Sequence, residues 1–274
     1  MEKLRKKTVF LLDMDGTIYL GDELIDGAKE FLDTIRESGK RYIFLTNNSS
    51  KNKEIYVEKL NKLGIGANKE EIFTSGEATT MYLNGKKPGA RIYLLGTQAL
   101  EEEFEREGFI LERQRHRDID YVVLGFDTTL TYEKLWGACE YISQGVEYIA
   151  THPDFNCPLA NNKFMPDAGA MAAFIEASTG KTPKVIGKPN KEIVESIISK
   201  YNLDKDDMVM VGDRLYTDIK TGENAGITSV LVYSGETKED DYARSEIRAD
   251  YVFDSVKDMV RLLKSQDIDN LAFG

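Results

Sequence analysis

Cysteine is scarce in this chain of 274 residues: there are two, Cys139 and Cys157, without a CxxC spacing. A pair in so long a chain builds no disulfide scaffold, so a reducing, cytoplasmic setting is expected. Cationic excess is lacking as well, since 36 Lys and Arg stand against 47 Asp and Glu, a net charge of -11. A nucleic-acid backbone needs a clustered cationic face, so no nucleic-acid partner is expected. Long apolar runs are missing too. After the basic start MEKLRKK, the run that begins at Val9 is cut by Asp13, too short for a signal core or a membrane span, and no membrane partner is expected. No repeat, low-complexity tract or charge block interrupts the chain.

What is present is an alternation. TVFLL, RYIFLT, RIYLLG, DYVVLGF, EYIAT, MVMVGD and SVLVYSG are continuous apolar runs without period-two alternation, the mark of parallel strands covered on both faces. Between them DGAKEFLDTIRESG, KNKEIYVEKLNKLG, TYEKLWGACEYISQG, NKEIVESIISKYN and TDIKTGENAG carry apolar residues at helical spacing, several ending at Gly. The pattern predicts an α/β fold with a doubly wound parallel sheet, whose ligands bind outside the carboxyl ends of the strands. The length suits one large or two medium domains. The polar stretches LNGKKPGA and STGKTPKV read as two hinge crossings. They predict a core from residues 1–83 and 183–274, with 84–182 as an inserted smaller α/β cap of three strands and three helices.

Four strand ends carry chemistry. In VFLLDMDGTIYL, Asp13 and Asp15 sit two apart, so on an extended chain both point to one side, where like charges need a cation or a shared proton. A calcium loop does not fit, because Gly16 is fourth and not sixth and Leu24 stands where the terminal Glu belongs. An aspartic-protease signature fails on the order Asp-Gly-Thr. A magnesium site or an ordinary turn remains. RYIFLTNNSS ends in Thr46, Asn47, Asn48, Ser49 and Ser50 ahead of a helix, by itself first a multiply capped helix start and otherwise an anion site. MVMVGDRLYTD brings Asp213 and Asp218 to a strand-to-helix turn, and VIGKPN sets Lys188 after a short strand. Carboxylates for a divalent cation, hydroxyls and amides for phosphate oxygens and one lysine are the parts phosphoryl transfer requires.

With DMDGT, TNN, GKP and GDRLYTD in this order, each after a predicted strand, the chain resembles the haloacid dehalogenase (HAD) phosphatases of the NagD and 4-nitrophenylphosphatase type along essentially its whole length. The large insertion between the second and third motifs is similar to that family's type-two cap. The resemblance implies a HAD-like core and a Mg2+-dependent phosphatase. In it Asp13 is the nucleophile that forms an aspartyl-phosphate, and Asp15 is the acid and base. Asp13, the carbonyl of Asp15 and Asp213 hold the metal, with Asp218 as a further ligand or support. Gly16, Thr46, Asn47, Asn48 and Lys188 bind the phosphoryl group, with Thr46 and Lys188 counted as catalytic.

In such a family the cap helps select the phosphate ester. The stretch ATHPDFNCPLANNKFMPDAG, with His152, Asp154, Asn156 and Cys157, is expected as that element, Asp154 and Cys157 meeting substrate, or else as plain turn chemistry. Trp136, Met165, Met171 and Cys139 read as packing residues. The expected substrates are sugar phosphates, nucleoside monophosphates, phosphoglycolate, pyridoxal phosphate or aryl phosphates. Two rival readings stay open: a phosphotransferase that passes the phosphoryl group to an acceptor hydroxyl, and a low-turnover regulatory module that binds phosphometabolites. A monomer and a homodimer are both compatible with the sequence.

Overall fold

The computed structural model describes residues 1–115, 118–159 and 163–264. By contacts the described residues form two compact units, one of residues 1–45, 57–73 and 197–264, the other drawn from 46–56 and 74–196.

The first unit is built on a six-stranded sheet with the order Tyr251–Phe253, Thr228–Val232, Met208–Gly212, Val9–Leu12, Arg41–Thr46, Ile72–Thr74. The strands from Tyr251–Phe253 through Arg41–Thr46 pair in parallel, with Leu12 level with Val211 and with Phe44. The apolar runs are buried as the lack of alternation requires: Phe10, Leu11, Leu12 and Met208 to Val211 are all sealed from solvent. Helices Ala28–Glu37 and Val256–Lys264 pack against each other, and Phe31 meets Phe10 edge to face at 6.1 Å. Burial of each such side chain contributes about 1.5–3 kcal/mol.

The second unit carries a five-stranded sheet ordered Lys184–Val185, Glu147–Ala150, Tyr121–Leu124, Arg91–Leu95, Ile110–Leu111, parallel throughout. Helices Gln98–Arg106, Tyr132–Ser143 and Ala168–Thr179 start at Thr97, Thr131 and Asp167, whose side chains accept from backbone N–H groups of the first turn. Where three cap strands were predicted, this sheet has five. The strands Ile110–Leu111 and Lys184–Val185 are two residues each, too short to show a period, and a separate antiparallel hairpin pairs Asn156–Leu159 with Lys163–Pro166.

The sequence boundaries at 83/84 and 182/183 follow polar crossings, whereas contacts group 46–56, 74–83 and 183–196 with the inserted strands. The reason lies in buried polar links. Ser49 Oγ accepts from Phe126 N at 2.9 Å and meets Thr151 Oγ1 at 3.0 Å, while Ser75 Oγ donates to Asn47 O. Among the described residues no helix is long and apolar enough to cross a membrane.

Candidate active site

The parallel register brings Asp13 and Asp213 out at the same end of neighbouring strands. Asp13 follows Leu12, its N–H donates to Val211 O at 2.9 Å, and Asp213 follows Gly212. After Asp213 the chain makes one π-helical turn, Leu215–Ile219, before the helix Lys220–Ala225. Such turns recur at functional sites because they re-aim a side chain within a helix. Here the turn buries Asp218, whose Oδ2 accepts from Arg214 N at 3.0 Å. Asp13, Asp213 and Asp218 each offer a carboxylate oxygen, all within 4.8 Å of one another. The family resemblance implied that Asp213 and Asp218 join Asp13 around one cation, and the fold brings the three carboxylates together.

Two glycines make room for Asp213. Gly16 has φ +89°, and a Cβ there would lie 2.4 Å from Asp213 Oδ2; at Gly235 it would lie 1.9 Å away. Neither distance admits a side chain without displacing the carboxylate. Asp15 is half-buried in the turn that follows Asp13, where Gly16 N donates to Tyr19 O at 2.8 Å.

The electrostatics of this cluster point to a cation. Burial first, then the Asp13 and Asp218 carboxylates, push the Asp213 carboxyl well above its usual range, against the backbone N–H of Glu236 and the charge of Arg214. Asp213 Oδ2 accepts from Glu236 N at 2.6 Å, while its buried Oδ1 has no hydrogen-bond partner. A buried carboxylate oxygen without a partner costs free energy unless a cation or proton meets it. The donor set is all oxygen, which suits a hard divalent ion such as Mg2+ or Ca2+ and not a thiolate-seeking metal. The residues therefore fit a hard divalent cation.

The second unit gathers the amide and lysine group. Asn47 joins three segments: its Nδ2 donates to Lys188 O at 2.9 Å and to Asp154 Oδ2 at 3.0 Å, and its Oδ1 accepts from Lys188 N at 2.8 Å. Asn47 and Lys188 are buried. Thr46 Oγ1 accepts from Asn48 N at 3.2 Å; Asn48 Oδ1 accepts from Ser50 N and Oγ, and Asn48 Nδ2 lies 3.9 Å from Cys157 Sγ. The side chain of Asn47 is thus an internal bracket. Asp154 and Cys157, expected from the cap loop, lie against Asn47 and Asn48.

His152 lies on the loop after the strand Glu147–Ala150, as expected, and is fully buried there. Its Nε2 meets Asp167 Oδ1 and its Nδ1 meets Thr151 Oγ1, both at 2.8 Å. Burial lowers its pKa, but the Asp167 hydrogen bond and charge outweigh burial and raise it. Asp167 also accepts from Ala168 N at 2.6 Å, so the pair ties the loop to a helix start. Residues 160–162 of the expected cap loop lie outside the described residues. Trp136, expected as a packing residue, is 50% exposed and packs under the Arg115 guanidinium, 3.7 Å above its ring, while Cys139 and Met171 pack on the cap core. Sequence reasoning missed Arg214 and the Ser234–Thr237 segment as parts of the acidic site. The only signal was their place directly after strands, since a charged residue there is ordinarily solvated.

Comparison with known proteins agrees with this arrangement. Residues 10–110 match the family model for haloacid dehalogenase-like hydrolases, and 185–259 match a second, HAD-hydrolase-like model. An acid sugar phosphatase of Staphylococcus aureus (strain MRSA252) is 35% identical over 261 residues, 95% of this chain and 100% of its own. A crystal structure of 4-nitrophenylphosphatase from Thermotoga maritima superposes with a TM-score of 0.91 at 46% identity, covering 95% of this chain and 99% of that one. Glycerol phosphate phosphatase from Mycobacterium tuberculosis, crystallised in complex with magnesium, has a TM-score of 0.87 at 30% identity, covering 94% of this chain and 78% of that one. On these matches and its own motifs, the chain belongs to the haloacid dehalogenase-like hydrolases, within the group of NagD and the 4-nitrophenylphosphatases.

Proposed function

We propose that the chain is a Mg2+-dependent phosphomonoesterase of small metabolites, sugar and polyol phosphates first, that works through an aspartyl-phosphate on Asp13. The observation that carries this reading is the convergence of Asp13, Asp213 and Asp218 around the unpartnered Oδ1 of Asp213. The phosphatases named above, acting on sugar, 4-nitrophenyl and glycerol phosphates, support the ester class. Residues 84–182 remain assigned as the cap and the rest as the catalytic core.

In this mechanism a carboxylate oxygen of Asp13 attacks phosphorus, and the bond from phosphorus to the leaving oxygen breaks. Asp15, protonated, gives its proton to that leaving oxygen; as a carboxylate it then takes a proton from water, whose oxygen attacks phosphorus and frees Asp13 and inorganic phosphate. Asp13, the carbonyl of Asp15, Asp213 and Asp218 would hold Mg2+, which when bound supplies positive charge against the phosphoryl oxygens. Lys188 adds a second positive charge. The Thr46 hydroxyl and the main-chain N–H of Asn47 orient the phosphoryl oxygens, with Gly16 and Asn48 beside them. Asp154 and Cys157 are assigned to the leaving-group side. Asn47, by fixing the main chain of Lys188, keeps the lysine from drifting.

The test is phosphate release over a panel of sugar phosphates, glycerol phosphate, 4-nitrophenyl phosphate, nucleoside monophosphates, pyridoxal phosphate and phosphoglycolate, with Mg2+ and with EDTA. Release with Mg2+, lost with EDTA, is the expected result. No release from any monoester, or release indifferent to EDTA, would sink the proposal.

A further inference from the structure

Asp213 and Asp218 are each held by a backbone N–H, and the two donors belong to residues whose side chains meet. Glu236 N donates to Asp213 Oδ2 at 2.6 Å, Arg214 N donates to Asp218 Oδ2 at 3.0 Å, and Arg214 Nε lies 3.1 Å from Glu236 Oε2. The last contact is an ion pair by distance, without hydrogen-bond alignment at Nε. The Ser234–Thr237 segment is fastened on both sides of Glu236: Ser234 Oγ donates to Gly16 O at 2.7 Å and Thr237 N to Asp213 O at 3.2 Å. An exposed ion pair alone contributes roughly 0–1 kcal/mol. The Arg214 side chain, however, is only 18% exposed, so its charge acts largely inside the protein. Burial lowers the pKa of its guanidinium, and Asp13, Asp213, Glu236 and Asp218 together outweigh burial and raise it.

We propose that Arg214 and Glu236 form a positioning clamp that sets the Asp213 and Asp218 carboxylates for a divalent cation before the cation arrives. The inference rests on the reading of Asp13, Asp213 and Asp218 as the cation site. Three crowded carboxylates repel one another, and without restraint each rotates toward solvent or takes up a proton. A cation would then have to reassemble them, and that cost would appear as weaker binding. The clamp meets the cost during folding. Arg214 brings positive charge beside the cluster and caps Asp218 through its main chain, while Glu236 anchors the Arg214 side chain and points its own N–H at Asp213. Neither residue touches substrate; both act through the aspartates.

The experiment is calorimetric binding of Mg2+ to the full chain, wild type against Glu236→Ala and Arg214→Lys, the latter keeping the charge but changing its reach. Glu239→Ala is the control, since it removes the same charge from the neighbouring helix without touching the clamp. The clamp predicts a Mg2+ Kd raised about tenfold in Glu236→Ala, the lower end for groups that orient metal ligands. The loss persists at high salt, where a merely exposed charge is screened. Arg214→Lys loses affinity in the same direction, Glu239→Ala binds like wild type, and the melting temperature of Glu236→Ala without Mg2+ stays near wild type. Unchanged Mg2+ affinity in Glu236→Ala, or an equal loss in Glu239→Ala, overturns the clamp. A wild-type chain that binds no Mg2+ overturns the cation-site reading instead.

Discussion

Replacing Glu103 with glutamine should stabilise the protein at neutral pH and leave it nearly unchanged in mild acid. Glu103 lies on the helix Gln98–Arg106 with 9% of its surface exposed, and its Oε1 accepts from Thr74 Oγ1 at 3.3 Å. Burial, reinforced by the charge of Glu77 and opposed by Lys53, raises its pKa from the usual 4.5 to about 7. The folded protein therefore holds a proton that the unfolded chain has already lost between those two values. Stability then falls as pH rises through that window and levels off above about 7, because the unfolded state binds fewer protons. At about 1.4 kcal/mol per pH unit, the loss reaches about 3 kcal/mol. Glutamine is uncharged, keeps an acceptor for the Thr74 hydroxyl and changes little volume. Urea unfolding of both proteins at pH 5 and pH 8 measures the effect. The variant should gain about 2–3 kcal/mol at pH 8 and under about 1 kcal/mol at pH 5. An equal gain at both pH values, or a loss at pH 8, would refute the claim that burial of an ionisable carboxyl sets this dependence.

Further outcomes follow from the site. Asp13→Asn should drop phosphate release below about a thousandth of wild type while the melting temperature holds within a few degrees, since it removes the attacking oxygen but little volume. Asn47→Ala should cost about 2–4 kcal/mol in denaturant unfolding, because it strands the buried N–H and C=O of Lys188, which Asn47 now satisfies at 2.8 and 2.9 Å. Steady-state kinetics of the same variant should show a lower kcat; an unaltered kcat would mean that Lys188 is not positioned from this side. Gly235→Ala should displace the Asp213 carboxylate, whose Oδ2 would lie 1.9 Å from the new Cβ, and calorimetry should then find weaker Mg2+ binding.

Much of the core was legible because its signals are local. The runs from Val9 and from Met208 lack alternation because both faces of each strand are covered, and that alone marks them as parallel and central. Asp13, Asp15, Thr46, Lys188 and Asp213 could be picked out because each follows an apolar run, and strand ends are where such sheets bind ligands. The strands Ile72–Thr74 and Tyr251–Phe253 escaped notice, for three residues are too few to show a pattern. The hairpin from Asn156 to Pro166 was hidden by residues that equally form turns.

Sequence by itself determined the strand and helix alternation and the residue types gathered at the strand ends, because these are set by composition and by neighbours along the chain. Only the tertiary structure decided that Asn47 is spent on holding Lys188 and Asp154, that His152 is sealed against Asp167, and that Arg214 pairs with Glu236. These are pairings of remote segments. Whether a polar side chain is free for a ligand or already satisfied depends on which distant donor or acceptor reaches it, and that is a property of packing, not of spacing.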